Sequence, residues 1–297
     1  MASFSVTDAA FEGIRVTRES PRTVAIWALF YLAFSLVLMA VARFTLGPHY
    51  AELLAAIKPS AGPAESMRLL KLVAPFFNVA GPLALIFMSM LTAAIFRRVL
   101  RPDEARIGLR LGRDELRLLV MYLIMTLALT ALLFVLILIY VIAASIPENA
   151  ASGAISALVE LAALVGAAFV LLRLSLAGPA TLAEGRLAFA SSWRITHGQT
   201  IRLMAAYALA FVLGLVVLFL VTFLLSALLE AVHLATGLSL ETGAPRGVAG
   251  AVAGFLLQVV WSLLMTGQYL ILLAPPAVAY LALSRGAAPG SVVDIET

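Results

Sequence analysis

Six long apolar runs organise this chain, at about 21–45, 72–96, 118–143, 155–174, 203–229 and 248–274. Each approaches or exceeds the roughly 20 residues that a helix needs to cross a bilayer core. The stretch Leu118 to Ile146 carries no charged residue at all. None of the runs alternates apolar and polar positions, as a membrane β-strand would. The pattern predicts an all-α, polytopic helical membrane protein with six transmembrane helices in a single integral membrane domain over residues 1–297.

Helix punctuation refines these spans. Residues 1–19 are polar, with Phe11, Ile14 and Val16 at roughly helical spacing, which predicts an amphipathic helix lying on the membrane. Ser20-Pro21 supplies an N-cap and a proline at the first helical position. Gly47-Pro48 ends the first span, and a helical piece is expected at Tyr50 to Ile57. The second span holds Pro75, Gly81 and Pro82. Proline at 82 frees the carbonyl of Asn78, so this reads either as a broken helix lining a site or as a kink satisfied by neighbouring helices. The fourth span contains Glu160, and a carboxylate inside a span is a functional suspect. Asn78 and Glu160 are therefore the candidate intramembrane polar site. Gln258 and Gln268 read as interhelical hydrogen-bonding residues. Pro275-Pro276 is expected to end the sixth span, and a short interfacial helix over Ala277 to Ser284 follows.

Two connections are rich in arginine. Residues 97–117 hold seven arginines and four acids, with Arg106, Arg110, Arg113 and Arg117 at helical spacing. They read as an interfacial helix that meets anionic headgroups, or equally as topology signals paired with Asp103, Glu104, Asp114 and Glu115. In residues 173–202, Leu182, Phe189 and Trp193 are expected on one face, and Arg194 joins the lipid-headgroup candidates. Thr196 and Gln199 stand at the spacing of a capping box.

Arg18-Glu19-Ser20-Pro21-Arg22-Thr23, Arg110-Leu111-Gly112-Arg113-Asp114-Glu115 and Arg194-Ile195-Thr196-His197-Gly198-Gln199 align without gaps, each before a pair of spans. Three hairpin repeats over 1–102, 103–179 and 180–285, each entered through an interfacial amphipathic helix, are expected.

Composition sharpens this picture. The chain is 63% hydrophobic and 12% charged, too little charge to cover a soluble surface. The first run is longer than the core of a signal peptide, so a cleaved leader is not expected. Absence of cysteine removes disulfides, thiolate metal sites and a Cys nucleophile. The basic residues cluster at span ends, so the positive charge points to topology and not to nucleic acid. Fifteen of the 20 lie in 1–22, 97–117, 173–202 and the C-terminal end, which places both termini in the cytoplasm. Eighteen of the 20 are arginine, which with abundant Ala and Leu points to a GC-rich bacterial genome and an inner-membrane location.

The residues Arg173 through Pro179, then Ser192-Trp193-Arg194-Ile195-Thr196-His197-Gly198 and Arg202-Leu203, resemble a group of bacterial membrane proteins. That group includes the membrane domain attached to some glycerophosphodiester phosphodiesterases. The residues Arg98 to Asp103 and Leu111 to Arg117 resemble an uncharacterised alphaproteobacterial family. The resemblance implies a six-span domain of no assigned activity. The phosphodiesterase catalytic domain itself is not expected, because there is no His-Arg pair and no soluble region long enough for a barrel.

No metal cluster, Ser/His pair, phosphate loop or paired carboxylate stands within the spans, so neither enzyme activity nor a cofactor is expected. The expected role is that of a scaffold, assembly or lipid-associated accessory protein. The alternative is a transporter or channel for a small or lipidic molecule. The expected partners are the lipid bilayer, including anionic lipids, and a membrane protein or a second copy of the chain.

Overall fold

The computed structural model of the protein describes residues 5–49, 52–53, 63–102, 108–144, 150–236 and 247–287. Most of the expected helical piece at 50–57, the candidate Arg106, the turn at 145–149, the loop at 237–246 and the tail after 287 lie outside the described residues. The helices are α1 (Val6–Glu19), α2 (Pro21–Thr45), α3 (Pro63–Leu100), α4 (Arg113–Ala144), α5 (Ala150–Leu174), α6 (Ala177–Glu184), α7 (Phe189–Ile195), α8 (Thr200–Thr236) and α9 (Gly247–Ala287), with a 3₁₀ turn at Gly47–His49. No strand occurs among the described residues.

Six helical stretches are long and apolar enough to cross a membrane: Pro21–Thr45, Met67–Leu100, Arg113–Ile139, Ala157–Glu184, Thr200–Ala231 and Gly250–Ser284. The fold is that of an all-α polytopic helical membrane protein.

Helix α9 is the hub, packed against α1, α2, α3, α6, α7 and α8. Packing is polarised along the spans. Buried apolar residues gather at the start of α2 (Val24, Trp27), the end of α3 (Leu91, Ile95), the start of α4 (Leu118), the start of α8 (Leu203, Ala206) and the end of α9 (Leu270, Ala277). Clusters that join these ends also take in Ala9 and Val16 of α1 and Leu176, Ala177 and Leu182 around α6. The described parts of the first connection (97–102 and 108–112), the connection 174–199 and helix α1 therefore share one end of the bundle. Away from that end, α4 and α5 are exposed along their length, as at Leu127, Phe134, Leu158 and Leu164.

Two amides tie α9 to its neighbours, as their mid-span positions predict. Gln258 donates to the Ser35 hydroxyl of α2 at 2.9 Å, and Gln268 donates to the Gly214 carbonyl of α8 at 2.7 Å. Phe87 stacks on Phe34 at 4.0 Å and meets Tyr31 edge-on, joining α3 to α2.

Several expectations change. Helix α1 exists, but Ala9, Ala10, Gly13 and Val16 bury against the bundle, while Phe11 and Ile14 face outward. A Cβ on Gly13 would lie 2.5 Å from the Leu270 carbonyl oxygen, so glycine is what allows α1 to cross α9 so closely. Helix α3 is continuous through Pro75 and Pro82 and is not broken. Both rings are exposed, where they find room without a clash against other helices. Helix α9 likewise continues through Pro275-Pro276 to Ala287, so these prolines do not end it. Ala277 to Ser284, expected as a separate interfacial helix, belong to α9 itself.

The three aligned starts use three geometries. Ser20 precedes Pro21 but makes no side-chain cap; its hydroxyl accepts from Arg98 at 2.6 Å. At Gly112, the Glu115 carboxylate reaches back to accept the Gly112 N–H at 3.0 Å, one arm of a capping box. Thr196 does not cap α8. It closes α7, and its hydroxyl donates to the Ser192 carbonyl at 2.8 Å, with the Arg173 carbonyl at 3.3 Å. Its surroundings are buried, and carbonyls at the end of α7 lie closer than the first amides of α8.

Candidate functional site

Charged side chains gather at the packed end in three places. The first joins α3 to α4. The chain leaves α3, turns through Gly108 at φ 75°, and enters α4 at Arg113. Residues 108–112 are not helical, so the expected interfacial helix does not extend through them. Arg97, only 2% exposed, points inward from α3. It pairs with the buried Glu115, donates to the Gly108 carbonyl at 2.5 Å and lies 3.9 Å from Asp114. Asp114 also pairs with Arg110 at 3.4 Å and Arg117 at 3.1 Å. Two of the lipid candidates, Arg110 and Arg117, are thus held by protein carboxylates. Arg113 is exposed and has no ion pair among the described residues.

The second place is an open pocket of about 430 Å³ lined by Glu184, Arg186, Ser191, Arg194, Ile195, Tyr280 and Ser284. Gly185, at φ 66°, ends α6 in a left-handed turn, and α7 then brings Ser191 back over Glu184. Glu184 accepts from Arg186 at 2.8 Å and from Ser191 at 3.1 Å. Arg194 has no carboxylate partner among the described residues, so the lining keeps a net positive charge suited to a small anion.

The third place surrounds Arg173 in the last turn of α5. Its guanidinium lies 5.1 Å from the Phe169 ring centroid and 5.5 Å from that of Trp193. It donates to the Trp193 carbonyl at 3.5 Å, and its Nε is buried without an acceptor. Leu182, Phe189 and Trp193 do not share one face, because the chain turns between α6 and α7. Leu182 enters the core and Trp193 stays 42% exposed.

Asn78 and Glu160 are not brought into a common interior. Each stands on an exposed face, on α3 and α5 respectively. Among the described residues, no group of three or more His, Cys, Asp or Glu is placed to hold a metal ion.

Arg97 and Arg173 were the positions that sequence reasoning missed. Arg173 had a readable signal, since Phe169 and Arg173 stand four apart on one helix face. Arg97 had none, because its partner lies 18 residues on, beyond the turn at Gly108.

The geometry defines a six-span helical membrane protein whose polar groups crowd one end. No protein-family model, curated protein or solved structure matches the chain.

Proposed function

We propose that the protein is a bacterial inner-membrane accessory protein, a scaffold or assembly factor that works from the cytoplasmic surface in contact with lipid. The observation that carries this reading is the polarity of the packing. The clusters around α1, α6, α7 and the ends of the long spans make a firm platform, and Arg113, Arg194 and Arg202 stand exposed on its rim. Both termini are cytoplasmic in this reading, because the platform is the arginine-rich end and that is the side on which such residues are retained. The resemblance of residues 173–203 to a membrane domain of no assigned activity fits an accessory role. Transport is the weaker reading. A carrier gathers polar groups at mid-membrane, whereas Asn78 and Glu160 stand outward on separate helices.

The test is gentle release from the native membrane followed by native mass spectrometry. A stoichiometric protein partner, lost when Arg113, Arg194 and Arg202 are changed to Gln, is the expected result. Recovery of a monomer without partner protein from several mild detergents would refute the scaffold role.

A further inference from the structure

Helix α5 is 25 residues long, so it rises about 37 Å and its last turn reaches the edge of a hydrocarbon core about 30 Å thick. Arg173 lies in that turn. The residue is 8% exposed, and its walls are two aromatic rings, Phe169 and Trp193, each 42% exposed on the outside of the bundle. The two rings meet edge to face at 6.2 Å, so the walls support one another. Indole rings favour this depth, where headgroup meets acyl chain.

The cation is poorly compensated. A guanidinium has five N–H donors. Here one Nη donates to a carbonyl at 3.5 Å, Nε has no acceptor, and no carboxylate pairs with it among the described residues. A cation facing two rings gains only about 0.5–2 kcal/mol from them. Arg97, the other deeply buried arginine among the described residues, is by contrast met by a buried carboxylate. The anchoring of this corner is also tight. The Arg173 carbonyl accepts from Ser192 at 2.7 Å and from Thr196 at 3.3 Å, which holds α7 and its Trp193 against α5.

We propose that Arg173 is a phosphate-binding residue, and that the phosphate group of a membrane phospholipid caps its outer Nη edge while Phe169 and Trp193 pack against the lipid's glycerol and upper acyl chains. A phosphate diester brings a charge and several acceptor oxygens to the depth where this arginine lacks both. The site is separate from the Glu184–Arg194 pocket, and it stands whether or not the protein is a scaffold.

The test uses the full chain, delipidated in detergent and then given either dioleoyl-phosphatidylglycerol or dioleoylglycerol, which has the same chains without phosphate. Native mass spectrometry should show one retained phosphatidylglycerol and no retained dioleoylglycerol. R173Q should weaken that retention about tenfold or more, as loss of a charge-assisted bond does, whereas R43Q, an exposed change in the last turn of α2, should leave it unchanged. Addition of inorganic phosphate separates the two sources. Lipid that persists in its presence supports a phospholipid site, and displacement by it overturns the lipid assignment in favour of soluble phosphate. Equal retention by R173Q and wild type overturns the proposal. If R173Q does not fold, a phosphatidylglycerol carrying a headgroup diazirine decides on the wild-type chain. Adducts at Phe169, Arg173 or Trp193 support the site, and adducts confined elsewhere overturn it.

Discussion

Replacing Glu115 by Ala should produce the largest stability loss of any single polar change at the platform. The Arg97 and Glu115 side chains are 3% and 1% exposed, so the pair is shielded from water on both sides. Removing one partner of such a pair leaves a desolvated charge and typically costs about 3–5 kcal/mol. Asp114, 3.9 Å from Arg97, still offers some compensation, which places the expected loss near the lower end, at about 3 kcal/mol. The Gly112 N–H also loses its carboxylate, but Gly112 is exposed and water replaces the bond at small cost. Changing both partners, Arg97→Met with Glu115→Leu, removes the stranded charge and should recover most of the loss, since apolar replacements of buried pairs are often neutral. The assay is thermal unfolding in a mild detergent, followed by tryptophan fluorescence, with Trp27 reporting from the core next to α3. Single variants should melt well below wild type and the double variant near it. A wild-type midpoint for E115A, or a double variant less stable than both singles, would refute the reasoning.

Three further outcomes are expected. Gly13→Ala places a methyl 2.5 Å from one backbone atom of α9 and 2.6 Å from another, neither of which yields as a side chain would, so α1 should lift at a cost of about 1–3 kcal/mol, read as faster tryptic cleavage at Arg15 and a lower melting midpoint. Burial holds the Glu12 carboxyl above its ordinary value of 4.5, with Arg15 offsetting part of the effect. The folded state therefore binds the Glu12 proton more tightly than the unfolded chain. This contribution to stability is full below the unfolded value and is lost as pH rises through the raised folded value, so Glu12→Gln should flatten that part of the melting-versus-pH curve. Single cysteines replacing Ser5, Arg110 and Arg186, all exposed, should react with an impermeant maleimide in inverted vesicles and stay protected in intact cells; one site labelled from outside would break the shared-face topology.

Helix class and span number were legible because the apolar runs are long and a bilayer accepts little else. The bounds of α2, Pro21–Thr45, follow from Ser20-Pro21 at one end and Gly47-Pro48 at the other. Proline misled at the sixth span. In the interior of a water-exposed helix it costs about 3 kcal/mol and usually stops the helix. Pro275 and Pro276 instead sit buried in α9, which is held by six neighbouring helices, and that packing outweighs two lost backbone bonds. Capping was misread at Thr196 for a related reason. Spacing shows which amide a hydroxyl can reach, and it does not show that the Ser192 and Arg173 carbonyls lie closer in the folded corner.

Arginine shows where pattern gives way to geometry. Arg97, Arg98, Arg110, Arg113 and Arg117 are one residue type in one short stretch, yet they take different partners: Glu115, Ser20, Asp114 twice, and for Arg113 none among the described residues. Periodicity placed Arg110, Arg113 and Arg117 on a helix face, but α4 begins only at Arg113, so the turn through Gly108 decides which arginines meet an acid. The number of arginines therefore overstates the charge this surface offers to lipid. Two kinds of attraction remain, and salt separates them. Arg113, Arg194 and Arg202 act through water, where charges are screened beyond about 8 Å at physiological ionic strength, so their pull on anionic headgroups should fade as salt rises. Arg173 lies behind two rings with little water near it, and a phosphate seated there is screened far less. Lipid bound at Arg173 should accordingly survive washing in high salt that strips the loosely held headgroups from the rim.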